Sequence, residues 1–160
     1  MTYVLGVQVP LPPLKNEVKM AKVTVETKYF SFNQNNSGGG FDINEKNGIG
    51  EYVIIEALNK EHACTRAEEI GIYFDGQSAG IDCRCCGDRW DEPWEGGTDS
   101  PMLYGKALSS IACAKPEMYR SNIFVHRLNG DVIHLRGDNE SYTIYYNGTK
   151  KTKKVLDVLT

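Results

Sequence analysis

The chain has 160 residues, a formal net charge of −3, 41% hydrophobic and 24% charged residues. That length supports one domain with a core of its own, and the acid excess removes the electrostatic case for general nucleic-acid binding. No apolar run reaches the length of a membrane span, and residues 1–14 lack the basic start of a secretory signal and meet Pro10, Pro12 and Pro13 early.

Residues 1–19 are proline-rich and precede a second methionine, Met20. Two readings stand. One is an N-terminal arm that adds a strand to a neighbouring subunit. The other is a leader upstream of a natural start at Met20, because Glu17-Val18-Lys19 can be encoded as a purine-rich ribosome-binding sequence. Residues 20–160 are expected to form a single α+β domain.

Lys22–Phe32 alternates β-branched, aromatic and polar residues and predicts a strand. The loop that follows, NQNNSGGGF over 33–41, carries three glycines and three asparagines. Such a loop turns tightly and presents amides and free backbone N–H groups, either as a flexible tip or as a cradle for a polar ligand. Glu51–Ala57 predicts a second strand. Asn59 caps a helix over about 60–70 that stops at Gly71. Ala63, Ala67 and Ile70 share its apolar face, with Cys64 beside them as a small packed residue.

Ile72–Phe74 predicts a short strand. Residues 75–101 then form a long irregular excursion rich in Gly, Cys and Trp, of a length usually reserved for function or metal binding. Over 121–156 two Asn-Gly pairs predict a four-stranded antiparallel meander. Asn129-Gly130 lies between Asn122–Leu128 and Asp131–Arg136, and Asn147-Gly148 between Tyr142–Tyr146 and Thr149–Val155. A two-residue first turn would place His126 opposite Ile133 and His134 opposite Val125. The two histidines would then face opposite sides of the sheet, unable to share a metal. The whole reads as an α+β protein built on antiparallel sheets with one short helix.

The segment IDCRCCGDRW, residues 81–90, holds three of the five cysteines. Cys83 and Cys86 have the C-x-x-C spacing of a zinc knuckle, with Gly87 easing the turn. Cys85 joins the same ion only with strain, and the pool for further ligands is Cys64, Cys113, His62, His126, His134 and nearby carboxylates. A reactive redox pair is disfavoured by Asp82 and Asp88. The third reading is a buried turn, with Trp90 covering the sulfurs and Arg84 or Arg89 paired with Asp82 or Asp88. In each case arginines that grip phosphate and aromatic faces that stack on a base make the loop a candidate ligand site. The candidate contacts are Asn33, Gln34, Asn35, Asn36, Gly38 and Gly39 from the first loop. Asp75, Arg84, Arg89, Trp90 and Trp94 come from the excursion, and the alternative is a solvated loop anchored by its tryptophans.

Phe32–Gly39, Tyr73–Gly76 and Gly80–Trp90 resemble a family of small tailed-bacteriophage proteins, over residues 29–94 of the chain. The resemblance implies a phage protein made in the cytoplasm of a bacterial host; it supplies a source and no mechanism. With no catalytic constellation placed by the sequence, the first expectation is a non-enzymatic counter-defence protein. It would sequester a small nucleotide-like immune signal, as a homo-oligomer with sites at subunit junctions. The alternatives are an inhibitor that binds a host defence protein, a minor virion protein with zinc at Cys83 and Cys86, or a small nucleotide hydrolase with a metal on Asp75, Asp82 or Asp88.

Overall fold

Two strands rich in aromatic and β-branched residues start the fold. β1 (Lys28–Asn33) and β2 (Tyr52–Ala57) pair antiparallel, with Phe32 opposite Val53 and Phe30 opposite Ile55. The computed structural model describes residues 24–117 and 120–157. The expected arm or leader over 1–19, the Met20 start and Lys22 lie outside the described residues.

α1 (Lys60–Ile70) has the predicted bounds and caps: the Asn59 side chain accepts from the His62 N–H, and Gly71 closes the end in the left-handed region. The strand expected over 72–74 does not form. The Ile72 N–H is already bonded to the Ala67 carbonyl as part of the helix cap, and Phe74 packs on Phe32 at 6.1 Å between ring centroids. A small hairpin, β3 (Met102–Leu103) and β4 (Lys106–Ala107), and a short helix, α2 (Leu108–Cys113), follow the excursion. The C-terminal meander is β5 (Asn122–His126), β6 (Val132–Gly137), β7 (Tyr142–Tyr146) and β8 (Thr149–Lys151).

The main sheet has the order β1-β2-β5-β6-β7-β8. The α+β class holds, and all but one of its pairings are antiparallel; β2 and β5 run parallel, Val53 beside Phe124. Both faces are covered in part. On one face Ala63 and Ala67 let α1 lie close on Phe30, Phe32, Val53 and Ile55. On the other, Leu103, Leu108, Ile111 and Leu156 cover Ile54, Ile123, Val125, Ile133, Leu135 and Ile144. Each such side chain, fully buried, contributes about 1.5–3 kcal/mol. Among the described residues no helix is long and apolar enough to cross a membrane.

The two Asn-Gly turns differ, and the difference reorients a face. Asn147 and Gly148 both have positive φ, 46° and 76°, as a tight hairpin requires. At the first turn only Gly130 does. Arg127 N–H bonds to the Asp131 carbonyl and Gly130 N–H to the Arg127 carbonyl, so the loop is longer. His126 therefore pairs with Val132, and His134 with Phe124. This one-residue change puts His126 and His134 on the same face, contrary to the sequence expectation. They still have separate partners: His126 Nε2 lies 2.8 Å from the Gly48 carbonyl, and His134 Nε2 lies 3.0 Å from Asn122 Oδ1.

The excursion runs back along β1. Tyr29 and Thr98 exchange backbone hydrogen bonds of 2.8 and 2.9 Å, and Asn35 N–H donates to the Arg89 carbonyl at 2.7 Å. The otherwise open edge of β1 is thereby covered. This seats the cysteine segment beside the 33–41 loop.

Candidate functional site

Asp82 anchors the cysteine segment. Its carboxylate is buried, accepting from Tyr73 Oη at 2.7 Å and from the Arg89 N–H at 2.7 Å. Gly76 must be a glycine here, because a Cβ would sit 2.1 Å from Asp82 Oδ2. Arg89 lies against the same carboxylate, Nε to Oδ1 3.8 Å. Its terminal nitrogens donate to Gln34 Oε1 (3.0 Å), the Gly40 carbonyl (2.8 Å) and the Ser37 carbonyl (2.7 Å). Gln34 in turn donates to the Asp42 and Gly50 carbonyls, each at 2.9 Å. Arg89 thus closes the 33–41 loop onto the excursion.

The two segments expected to form one site do come together, but several of their residues serve each other. Gln34, Arg89 and Trp90 are turned inward; Trp90 is 3% exposed and packs in the helix-side core. Asn35 Nδ2 donates to the Cys86 carbonyl at 2.7 Å. Asn33, Asn36, Gly38, Gly39, Asp75 and Arg84 are exposed. Trp94, 75% exposed, lines a different surface with Tyr29 and Tyr104.

The sulfurs are not the buried turn that one reading expected. Cys85 and Cys86 are exposed and Cys83 is half-buried. Cys83 O accepts from the N–H groups of Cys86 and Gly87, at 3.1 and 3.2 Å. Cys83 N–H donates to Ser37 Oγ at 3.1 Å, and Gln77 Nε2 to the Arg84 carbonyl at 2.8 Å. This turn brings all three Sγ atoms within 4.8 Å of one another, so Cys85 does converge with its neighbours. Among the described residues no fourth His, Cys, Asp or Glu joins them.

Cys83 Sγ lies 2.9 Å from Cys85 Sγ, and Cys85 Sγ 3.6 Å from Cys86 Sγ. Hydrogen bonds from the Cys85 thiol and N–H, helped by Cys86, pull the Cys83 thiol down to about 7. The same contacts push Cys85 up to about 11. Near neutrality the negative charge is therefore favoured on Cys83, with the Cys85 thiol as its hydrogen-bond donor. The cluster can hold a metal ion. Thiolate donors favour soft or borderline ions, and tetrahedral zinc with bonds of ~2.3 Å would set its sulfurs roughly 3.8 Å apart. The Cys85–Cys86 spacing fits, and the Cys83–Cys85 pair must open by about 1 Å.

Sequence reasoning missed Ser37, Tyr73 and Gln77, whose roles depend on loop-to-loop packing. It also missed a groove of about 480 Å³ on the helix side of the sheet, beside the 44–48 turn. There Phe124 stacks on His134 (3.9 Å between centroids, 12° between planes), and His134 on Tyr145 (5.7 Å, 29°). Burial, the dominant cause, pushes His134 down to about 4; Arg136 lowers it further and Glu45 opposes. The folded ring therefore stays neutral where the unfolded one, near 6.5, gains a proton. Its contribution to stability is fully present above pH 6.5 and is lost as pH falls toward 4. A loss on the order of 1–2 kcal/mol, discounted for partial exposure, is expected in urea unfolding over that window. His134→Gln should flatten the slope in part, since burial lowers His126 as well. A slope unchanged in that variant would contradict the assignment.

Fold and site define a small mixed-sheet protein with an exposed three-thiol loop clasped to an asparagine-glycine loop. The chain belongs to the family described as Domain of unknown function (DUF7296), whose model matches residues 27–145. Comparisons with curated proteins and with solved structures gave no match.

Proposed function

We propose that the protein acts by binding, and that its 81–90 loop holds zinc through Cys83, Cys85 and Cys86. The convergence of three Sγ atoms within 4.8 Å carries this reading. Three thiolates leave a fourth tetrahedral position for water or a group from a binding partner. Binding displaces the remaining thiol protons, so affinity rises with pH.

Cobalt(II) titration tests it. One equivalent should produce the sulfur-to-metal charge-transfer absorption of a thiolate site, and zinc should bleach it. Cys83→Ser and Cys86→Ser should each abolish the signal. No charge-transfer band in the fully reduced protein would end the proposal.

A second reading rests on Arg84, exposed and without an ion-pair partner among the described residues. Beside the thiols it offers a phosphate contact, with Asn36, Gly38 and Gly39 across the clasp. This suits a bacteriophage counter-defence protein that sequesters a nucleotide-like signal in the host cytoplasm. Loss of a co-purified nucleotide in Arg84→Ala would support it; retention would count against it.

A further inference from the structure

The groove beside the 44–48 turn lies on a different part of the molecule from the thiol loop. Cross-strand register builds it: Phe124 on β5, His134 on β6, Tyr145 on β7 and Lys150 on β8 are successive partners, so their side chains share one face. α1 covers this face over β1 and β2, whereas the β6–β7 part lines the groove. The 45–48 turn and the Asn147-Gly148 hairpin wall it on two sides.

Its chemistry is aromatic and cationic. Phe124, His134 and Tyr145 supply a row of rings. Lys46 and Arg136 line the groove, and Lys150 continues the row beyond Tyr145. The acid among these residues, Glu45, lies 3.9 Å from Arg136, and both are half-exposed or more. His134 donates from Nε2 to Asn122 Oδ1 at 3.0 Å, which leaves Nδ1 as an acceptor. The volume, about 480 Å³, falls within the ~300–1,000 Å³ of small-molecule sites.

We propose that this groove binds a purine mononucleotide, its base on the Tyr145 ring at the end of the stacked row and its phosphate within reach of Lys46 and Arg136. Aromatic side chains on an open sheet face stack bases because every base has a π-face. The cations supply the phosphate contact that an uncharged aromatic ligand would not use. A chain of net charge −3 and a groove walled on two sides favour one nucleotide over a polymer. The assignment stands apart from the metal-binding reading and from the Arg84 reading.

The test is a titration of the full chain with adenosine 5′-monophosphate, followed by tyrosine fluorescence and by NMR shifts of the His134 ring. Saturable binding is expected, about tenfold weaker in Tyr145→Ala. Lys46→Ala combined with Arg136→Ala should weaken the monophosphate and leave adenosine unchanged. Cys83→Ser and Arg84→Ala should bind as the parent does, which separates this site from the loop. Far-ultraviolet circular dichroism of Tyr145→Ala checks that it folds, and Tyr145→Phe should restore binding because it keeps the ring. No saturation at millimolar ligand would overturn the proposal. So would unchanged binding in a folded Tyr145→Ala, or a single-stranded decanucleotide that binds more tightly per site than the monophosphate.

Discussion

Arg89→Ala is expected to destabilise the protein by about 3 kcal/mol and to weaken the proposed zinc binding at least about tenfold. The Asp82 side chain is 2% exposed, and the Arg89 side chain, 15% exposed, is its cationic neighbour. Truncation would leave a buried carboxylate with only the Tyr73 hydroxyl and one backbone N–H. It would also strip donors from Gln34 Oε1 and from the carbonyls of Ser37 and Gly40. These losses fall on both loops at once, so the turn that gathers the sulfurs loses its backing. Arg89→Lys retains the charge but cannot serve three acceptors from one planar fork, so it should recover only part of the loss. Urea unfolding and competitive zinc titration read the two effects. A change within about 0.5 kcal/mol, the range of ordinary surface substitutions, would show that the clasp is not what holds the loop.

Gly50→Ala is expected to cost about as much, for a reason with no charge in it. A Cβ at Gly50 would lie 2.3 Å from the Asn122 carbonyl oxygen and 2.9 Å from its carbon. Those are backbone atoms at the start of β5, where Glu51 Oε2 accepts the Asn122 N–H at 2.8 Å. Neither side can yield without opening the parallel β2–β5 pair. Overpacking of that kind costs about 1–3 kcal/mol and sometimes more. At about 2–4 °C per kcal/mol for a chain of this size, a loss near 3 kcal/mol lowers Tm by roughly 6–12 °C. Gly40→Ala is the control: nothing lies within 4 Å of its Cβ position and its φ is not in the left-handed region. Equal melting temperatures for the two variants would refute the account.

Local signals carried far in this sequence. Asn59 and Gly71 fixed α1 because capping is decided within a few residues, and Asn147-Gly148 fixed the last hairpin for the same reason. The pairing of the two loops was legible as composition, since arginines, asparagines and glycines were concentrated there. The use of Arg89 was not legible. Whether a guanidinium faces a ligand or three protein acceptors depends on contacts more than 48 residues apart, as with its bond to the Gly40 carbonyl, 49 residues away. The histidine face was misjudged by one residue of loop length, because strand periodicity converts a single step into a reversal of side. The same error hid the Phe124–His134–Tyr145 row. The hairpin around Tyr104-Gly105 carried little signal, since a tyrosine at φ 49° is an unusual choice for a tight turn.

The parallel pairing of β2 with β5 has a consequence for synthesis. Glu51 meets Asn122 across 71 residues of chain. When β1, β2 and α1 have left the ribosome, the partner strand for β2 is still to be made. The β2 edge, with Val53, Ile54 and Ile55, therefore waits while the thiol loop and α2 emerge. At about 5–20 residues per second that interval lasts several seconds. The meander of β5 to β8, by contrast, is sequence-local and can form as soon as it is complete. The nascent chain thus passes through a period in which an apolar strand edge is available to chaperones or to a neighbouring nascent chain, and slowing translation between residues 58 and 121 should lengthen it.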